Sequence, residues 1–294
     1  MPGATSAPTA RALDVVELLA RAGATRLRFS DIARELGLTQ GTAHAILMTL
    51  CDRGWASRDP VDKTYWLGPA LAVVAAHADT ARPLTHAARA AALAVSRDVG
   101  YPAAVVERVD DALMITAIEG GDTPQGAGIP GDRIPYAPPF GVAFAAWDTP
   151  DEQRAWIRRA TTTDAAVQQR LERVLARTRE RGFDIDWTTP ALAQNAYLVG
   201  TLRGDSLPPR AQQILEQLLA EFATIGFVAE DDPAREAQPV ITIAAPVFDH
   251  RRRVALLVSV HPLRALSTVE IEAIGTRLTQ ATASVDSRIQ STED

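Results

Sequence analysis

The stretch that decides the fold of the N-terminal part reads DIARELGLTQGTAHAILMTLCDRG, residues 31–54. Small Ala33 permits two helices to cross closely, and Gly37 permits a tight turn between them because glycine accepts a left-handed backbone at little cost. Thr39 can cap the second helix. The apolar stripes of the two helices are formed by Ile32, Ala33, Leu36, Ala43, Ile46, Leu47 and Leu50. The pattern predicts a helix-turn-helix, whose braced second helix can enter the major groove of DNA.

Further elements flank this pair of helices. Residues 11–21 carry apolar side chains at helical spacing and predict a preceding helix. Residues 1–9 hold nothing to bury and are expected to form a disordered tail. Residues 55–58 and 64–67 read as two short strands around a turn. Helix, helix, turn, helix and hairpin make a winged helix-turn-helix, which we assign to residues 10–68.

The rest of the chain alternates between strand and helix patterns. A linker helix is expected within 69–82, followed by a second domain over residues 83–294. Apolar strand patterns occur at 103–109, 112–118, 240–247 and 253–260, and a helical pattern follows at 267–289. Strands mixed with helices around one antiparallel sheet make an α+β domain.

Charge and cysteine content narrow the class of protein. The formal net charge is −6, yet residues 1–68 carry eight basic and seven acidic side chains, so the acidity belongs to the rest of the chain. A near-neutral reader domain suits a protein with few, localised phosphate contacts. The single cysteine, Cys51, excludes an intramolecular disulfide and a multi-cysteine zinc site. Neither a signal peptide nor an apolar run long enough to span a bilayer is found, which predicts a cytoplasmic protein.

Several stretches closely resemble the IclR family of transcriptional regulators. In the N-terminal part these are RALDVVELLA at 11–20, DIARELGL at 31–38 and YWLG at 65–68. In the C-terminal part they are RERGF at 179–183 and IAAPVFD at 243–249. The resemblance implies a GAF-like effector-binding domain, a regulator rather than an enzyme, and a dimer or tetramer of this chain. The partners that it implies are double-stranded operator DNA and a small-molecule effector.

Three departures from the family pattern matter. No arginine or lysine occurs between Gln40 and Cys51, so electrostatic affinity from the recognition helix is expected to be weak. The stretch 136–141 replaces the family's residues before the pocket helix, so the family's ligand chemistry does not carry over. The interval 188–239 is longer than in the family and is expected to be an insertion. The first departure keeps an alternative open, a small-molecule sensor whose degenerate reader domain acts through protein contacts.

Candidate DNA contacts lie on the recognition helix and around the wing. Gln40, Thr42 and His44 are expected to face the bases, where a glutamine can bond adenine in a bidentate manner. Charged contacts to phosphate are expected from Arg28, Arg53, Arg58 and Lys63. Ser30 and Thr39, which are expected to cap the two helices of the motif, complete the candidate set.

Candidate effector contacts follow from aligning the chain with the family. Val258 and Val260 take the place of polar strand positions, so the ligand cavity is expected to be apolar. Tyr136, Phe140 and Phe144 add aromatic surface, and the two phenylalanines are predicted to lie one helical turn apart. Polar anchors are expected to be Arg133, Tyr136 and Thr242. The pattern favours a largely hydrophobic effector; the open alternative is that these residues only fill the core.

Motifs for catalysis, cofactors and metals are weak. Residues 126–131 spell the dinucleotide fingerprint, but that fingerprint needs a following helix, which the prolines after it prevent. No G-x-S-x-G elbow occurs, and no two histidines stand four residues apart for a helical metal pair. Asp184 and Asp186 alternate on a strand and are expected to face solvent, as are His250 and His261 near a turn. We therefore expect no catalytic site, metal or cofactor.

Overall fold

The fold is taken from a computed structural model of the chain, which describes residues 6–120, 129–160, 165–187 and 237–290. The chain divides into two compact units, Met1–Arg82 and Pro83–Asp294. Within the described ranges, no helix combines the length and the apolar character needed to cross a membrane.

The first unit is a winged helix-turn-helix. Its elements are α1 (Ala7–Arg21), β1 (Leu27–Arg28), α2 (Phe29–Glu35), α3 (Gln40–Asp52), β2 (Ala56–Arg58), β3 (Thr64–Leu67) and α4 (Ala70–Ala81). The strands form an antiparallel sheet in the order β1-β3-β2, and the β2–β3 hairpin is the wing. The buried core consists of Val15, Leu18, Leu19, Ile32, Leu47, Ala56 and Tyr65.

The start of this unit differs from the sequence expectation in two places. Helix α1 begins at Ala7, inside the stretch expected to be a disordered tail, because Pro8 in its first turn needs no backbone donor there. Helix α2 begins at Phe29, so Ser30 lies inside the helix rather than at its cap. The N-cap position belongs to Arg28, whose extended backbone pairs with Thr64 in a short strand that the pattern did not predict.

The second unit is an α+β domain, as predicted. Its helices are α5 (Pro83–Val99), α6 (Val142–Ala145), α7 (Pro150–Ile157), α8 (Ala165–Arg181) and α9 (Thr268–Gln290). Its strands are β4 (Ala103–Val109), β5 (Ala112–Glu119), β6 (Arg133–Pro135), β7 (Asp184–Trp187), β8 (Gln238–Phe248), β9 (Val254–Val260) and β10 (Arg264–Leu266). Over the described residues these strands form one antiparallel sheet in the order β10-β8-β9-β4-β5-β6, and β7 also pairs with β8.

The two faces of this sheet bury separate cores. The α5–α9 face packs against helices α5 and α9 and includes Val105, Phe183, Ile243, Ala245, Leu256, Val258, Val260, Leu278 and Val285. The α6–α8 face packs against α6, α7 and α8 and includes Leu113, Tyr136, Phe144, Trp156, Leu171, Ala244 and Leu257. Successive side chains of a strand point to opposite faces, so neighbours such as Leu257 and Val258 belong to different cores.

The segment before α7 is less helical than the pattern predicts. Helix α6 covers only Val142–Ala145, so Phe140 precedes it and does not stand one helical turn from Phe144. A cis peptide bond between Pro138 and Pro139 and a left-handed Gly141 lead into the helix. Proline lacks the N–H that a helix interior needs, which explains why the helix starts late.

Candidate functional site

The recognition helix α3 is capped as predicted. The Thr39 hydroxyl accepts a hydrogen bond from the Thr42 backbone N–H at 3.2 Å, and the two hydroxyl oxygens lie 2.9 Å apart. Ala43 and Leu47 are fully buried, so they fix which side of the helix faces the core. The Thr42 side chain is therefore engaged inside the protein and is only half exposed.

Two of the predicted base contacts are exposed on the same helix. Gln40 stands at its first position, and His44 follows one turn later. The imidazole of His44 meets the ring of Phe29 edge to face, with 6.5 Å between ring centres. This contact leans His44 toward α2, while Gln40 points into solvent at the start of the helix.

The turn of the wing is held by one carboxylate. Asp59 accepts hydrogen bonds from the backbone N–H groups of Asp62 and Val61, which lower the pKa of its carboxyl group. Arg26 pairs with Asp59 at 3.1 Å, and its guanidinium lies 4.3 Å from the ring centre of Trp66. Arg26 therefore stabilises the hairpin from its exposed side, and the sequence analysis did not include it among the candidate residues.

The predicted phosphate contacts are all exposed. Arg58, on β2, lies 5.7 Å from the ring centre of Tyr65, and Lys63 ends the turn of the wing in a left-handed conformation. Arg28 stands at the N-cap of α2 and Arg53 at the C-cap of α3. Each guanidinium or ammonium group can therefore reach a ligand outside the protein.

The predicted effector residues are not brought together. Val258 and Val260 are fully buried on the α5–α9 face, whereas Tyr136 and Phe144 belong to the α6–α8 face. This placement corrects the expectation that the two valines and the aromatic rings line one cavity. Their neighbours Leu257 and Ser259 point to the opposite face, because successive side chains of a strand alternate between the two faces.

Tyr136 is buried and makes several contacts within the domain. Its hydroxyl donates a hydrogen bond to Asp148 at 2.8 Å, and Arg108 lies 4.1 Å from its ring centre. Arg159 donates to its backbone carbonyl at 3.0 Å. Burial, and then the nearby Asp148 carboxylate, raise the pKa of the tyrosine hydroxyl well above its ordinary value. The hydroxyl thus has a partner inside the domain, and its role as a ligand anchor stays a prediction.

The other aromatic and polar candidates are scattered. Phe144 is fully buried edge to face against Tyr136, with 6.3 Å between ring centres. The carbonyl of Phe140 accepts a hydrogen bond from the Trp156 indole at 3.1 Å, which ties the loop to α7. Arg133 is exposed on the edge strand β6. Of the expected anchors, only Thr242 lies among buried polar groups.

Thr242 belongs to a polar cluster on the same side of the sheet as Ala244 and Leu257. We define the polar cluster as Thr178, Asp184, Asp186, Thr242, Ser259 and His261. Thr242 Oγ1 lies 3.2 Å from Nδ1 of His261, and Ser259 Oγ lies 3.3 Å from Nε2 of the same ring. The remaining contact is a hydrogen bond of 3.3 Å from the Thr178 hydroxyl to Asp184.

Strand register explains how the cluster forms. Asp186 stands opposite Thr242, and Asp184 stands opposite Ala244, which in turn stands opposite Ser259. Residues opposite one another in an antiparallel ladder share a face of the sheet. Strand β7 and the hairpin of β8 and β9, which follows much later in the sequence, therefore place their polar side chains on one face.

Burial favours the uncharged forms of the titratable groups in the cluster. It lowers the pKa of His261 to about 4, so the imidazole is uncharged at neutral pH. Burial also raises the pKa of Asp184 and of Asp186, and the neighbouring Asp184 carboxyl group raises the pKa of Asp186 further. The six residues include no arginine or lysine, so they offer hydrogen-bond donors and acceptors without a positive charge.

The sequence interpretation missed most of this cluster. Asp184 and His261 are buried, and Asp186 is half-buried, so the expectation that they face solvent was wrong. The available signal was the apolar residues that alternate with the two aspartates, which are Phe183, just before β7, and Ile185 and Trp187 on it. Both faces of this sheet are covered by other parts of the domain. The aspartates of β7 are therefore buried even though they point away from the apolar side chains of the same strand.

A concave feature lies on the other face of the sheet, away from the polar cluster. A groove of about 250 Å³ runs between α5 and α9 and is lined mainly by small side chains, among them Ala87, Ala91, Ala94 and Ala281. It contains none of the polar cluster and none of the predicted effector residues.

Comparison with known proteins bears on both units. The model of the IclR helix-turn-helix domain matches residues 8–60. The glycerol operon regulatory protein of Streptomyces griseus is 32% identical over 189 residues, which cover 60% of this chain and 71% of that protein. The HTH-type transcriptional regulator XynR of Escherichia coli K12 is 28% identical over 183 residues, covering 60% of this chain and 72% of XynR.

Solved structures share the fold over nearly the whole chain. An IclR transcriptional regulator from Alicyclobacillus acidocaldarius superposes with a TM-score of 0.61 at 22% identity, covering 97% of this chain and 99% of that one. An IclR homolog from Microbacterium hydrocarbonoxydans, complexed with 4-hydroxybenzoate, gives a TM-score of 0.62 at 18% identity and covers 97% and 100%. At these identities the likeness shows a common fold.

Proposed function

This chain belongs to the IclR family of transcriptional regulators and is a DNA-binding regulator; from this premise we propose that it acts as a homodimer whose effector binds at the polar cluster. A regulator of this kind acts where the genome lies, so we propose a cytoplasmic location. The observation that carries the effector proposal is the neutral imidazole of His261 between two hydroxyl groups, on a sheet face that also carries two aspartates.

The chemistry of the cluster indicates the class of effector. Buried polar groups are costly unless they are hydrogen-bonded, and a cluster rich in hydroxyl and carboxyl groups can exchange its internal bonds for bonds to a ligand hydroxyl. Ala244 and Leu257 provide apolar surface on the same face. We therefore propose a small molecule with a largely hydrophobic body and at least one hydroxyl group. Anionic ligands are disfavoured because no cation stands in the cluster.

Helix α4 supports the homodimer. It is rich in alanine and carries Val73 and Val74 with 59% and 48% of their surface exposed. A helix that is apolar all round is normally buried, and exposed apolar surface marks interaction sites. A single winged helix-turn-helix also offers few contacts, and regulators of this type bind two half-sites as dimers. Pairing of α4 with the same helix of a second copy would cover the exposed valines and would bring two DNA-binding units together.

One pair of experiments with the purified full-length protein tests these proposals. Selection from sheared genomic DNA should recover specific duplexes; recovery of none would favour the sensor with a degenerate reader. Thermal unfolding should then be followed with phenol, 4-hydroxybenzyl alcohol, glycerol, glyoxylate and pyruvate. Stabilisation by the neutral aromatic alcohols is expected. Stabilisation by glyoxylate or pyruvate alone would contradict the proposed effector class.

A further inference from the structure

The outermost stripe of the recognition helix is apolar. Opposite the buried Ala43 and Leu47, at 3.6 residues per turn, lie Gly41, Ala45 and Met48. All three are exposed, and Met48 shows 42% of its surface. The part of α3 that projects furthest from the domain thus presents a methyl group and a thioether.

The polar side chains of α3 lie to the sides of this stripe or are already engaged. Gln40 and His44 stand roughly a quarter of a turn to one side. On the other side, Thr42 is bonded to Thr39, and the Thr49 hydroxyl donates to the Ala45 carbonyl at 2.9 Å. Hydrogen-bond donors and acceptors without an internal partner on this helix are therefore concentrated on the flank of Gln40 and His44.

The stripe is shaped for close approach. A side-chain carbon built at Gly41 would have nothing within 4 Å, so the absent side chain leaves open space outside the helix. Glycine at such a position lets the backbone itself come close to a ligand. At the far end of the helix the exposed Asp52 would repel phosphate. The first two turns, with Gly41, Ala45 and Met48, are the part that can enter a groove.

We propose that Ala45 and Met48 read the 5-methyl groups of thymine in the major groove. In that groove the thymine methyl is the apolar feature of the base-pair edges, and apolar side chains recognise it by contact. The proposal rests on DNA binding by this regulator. In this proposal the groove-facing surface of α3 recognises bases by van der Waals contact. Gln40 and His44 add hydrogen bonds from one side of that surface.

Uracil substitution tests this contact directly, because deoxyuridine lacks only the 5-methyl group of thymidine. The probe is the tightest duplex from the genomic selection, made with thymidine and then with deoxyuridine at single positions. Each contacted methyl should contribute about fourfold in affinity for the full-length protein. Positions outside the contact should show no change.

Variants assign the effect to these residues. Met48→Ala should weaken binding to the thymidine duplex and remove its advantage over the deoxyuridine duplex at one position. Gly41→Leu should keep the thermal stability and prevent specific binding. Val269→Ala is the matched control, since Val269 is an exposed apolar side chain of α9 in the other unit.

Equal affinity for thymidine and deoxyuridine duplexes would overturn the proposal while leaving DNA binding intact. A deoxyuridine effect that persists in full in Met48→Ala and in Ala45→Gly would also overturn it, because the methyl group would then act through another residue or through groove shape. Failure to recover any duplex would contradict DNA binding and this inference together.

Discussion

Thr242 Oγ1 lies 3.2 Å from Nδ1 of His261, and the other nitrogen of that imidazole lies 3.3 Å from Ser259 Oγ. A neutral imidazole has one donor and one acceptor nitrogen, so the two hydroxyl groups have opposite roles in this chain of bonds. Residues of β8 and β9 and the residue that follows β9 are thereby joined into one unit. A ligand that replaces either bond changes the whole chain.

The buried imidazole makes stability depend on pH. The pKa of His261 is lowered to about 4, whereas a histidine in the unfolded chain titrates near 6.5. As pH falls between these values, the unfolded chain takes up a proton that the folded chain does not, so stability falls by up to about 3 kcal/mol. Asp184 has the opposite effect, because its pKa is higher in the folded chain than in the unfolded chain. Its contribution to the free energy of unfolding therefore decreases as pH rises.

Replacing the histidine should isolate its share of this dependence. His261→Gln keeps a polar side chain but does not titrate, so the free energy of unfolding should lose the acid-side decrease between pH 6.5 and 4. Chemical denaturation of wild type and variant across this range measures the difference. Curves that stay parallel would show that His261 is not a buried neutral group. Asp184→Asn serves as the control of opposite sign.

Substitutions at the adjacent positions 258 and 259 of β9 should have different effects, one on stability and the other on ligand binding. Ser259→Ala, and likewise Thr242→Val on β8, removes a hydroxyl from the polar cluster and should reduce the stabilisation that a hydroxyl-bearing ligand produces. Val258→Ala should cost about 1–3 kcal/mol of stability because it leaves space in the α5–α9 core. It should leave the ligand-induced shift unchanged. Loss of that shift in Val258→Ala alone would place the ligand on the other face.

Tyr136 should matter for stability rather than for binding. Tyr136→Phe removes the hydrogen bond to Asp148 and should cost about 1.5–3 kcal/mol, the range for bonds to a charged group. Arg133→Ala, on the exposed edge strand, should change stability by less than about 0.5 kcal/mol. Urea unfolding of both variants tests the contrast. A Tyr136→Phe protein of unchanged stability but weakened ligand response would restore the tyrosine as an anchor.

Assembly should depend on α4. Val73→Glu puts a charge on the exposed apolar face of that helix and should shift the protein from dimer to monomer in sedimentation equilibrium. Val269→Glu, at a more exposed position of α9, provides the control and should leave the mass unchanged. A Val73→Glu protein that remains dimeric would exclude α4 as the interface.

The wing should supply phosphate contacts in the place of a basic recognition helix. Lys63→Ala and Arg58→Ala should each weaken binding to all duplexes about equally and lower the slope of log affinity against log salt by roughly one. Arg26→Ala should lower it less, because Arg26 is already paired with Asp59. Salt titrations of the three variants measure these slopes. Unchanged slopes for both Lys63→Ala and Arg58→Ala would mean that the wing does not touch phosphate.

The sequence by itself determined the local elements of this protein. Helical spacing around Ala33, Ala43 and Leu47, the cap at Thr39 and the glycine after α2 are sufficient for the helix-turn-helix, since each acts over a few residues. Strand patterns likewise predicted the main strands of the α+β domain. The sequence did not predict the short strands β1 and β6. Two or three residues are too few to show a periodic pattern, and such a strand forms only by pairing with its neighbour.

Which side chains meet was decided by the tertiary structure. The alternation of β9 was readable, but only its pairing with β4 and β8 shows that Val258 packs toward α5 and α9 while Ser259 lies on the opposite face, beside His261. The polar cluster joins residues that are far apart in sequence, and no local pattern encodes their distance. A strand has two faces and a period of two, so one residue of register separates a position in the α5–α9 core from a position in the polar cluster.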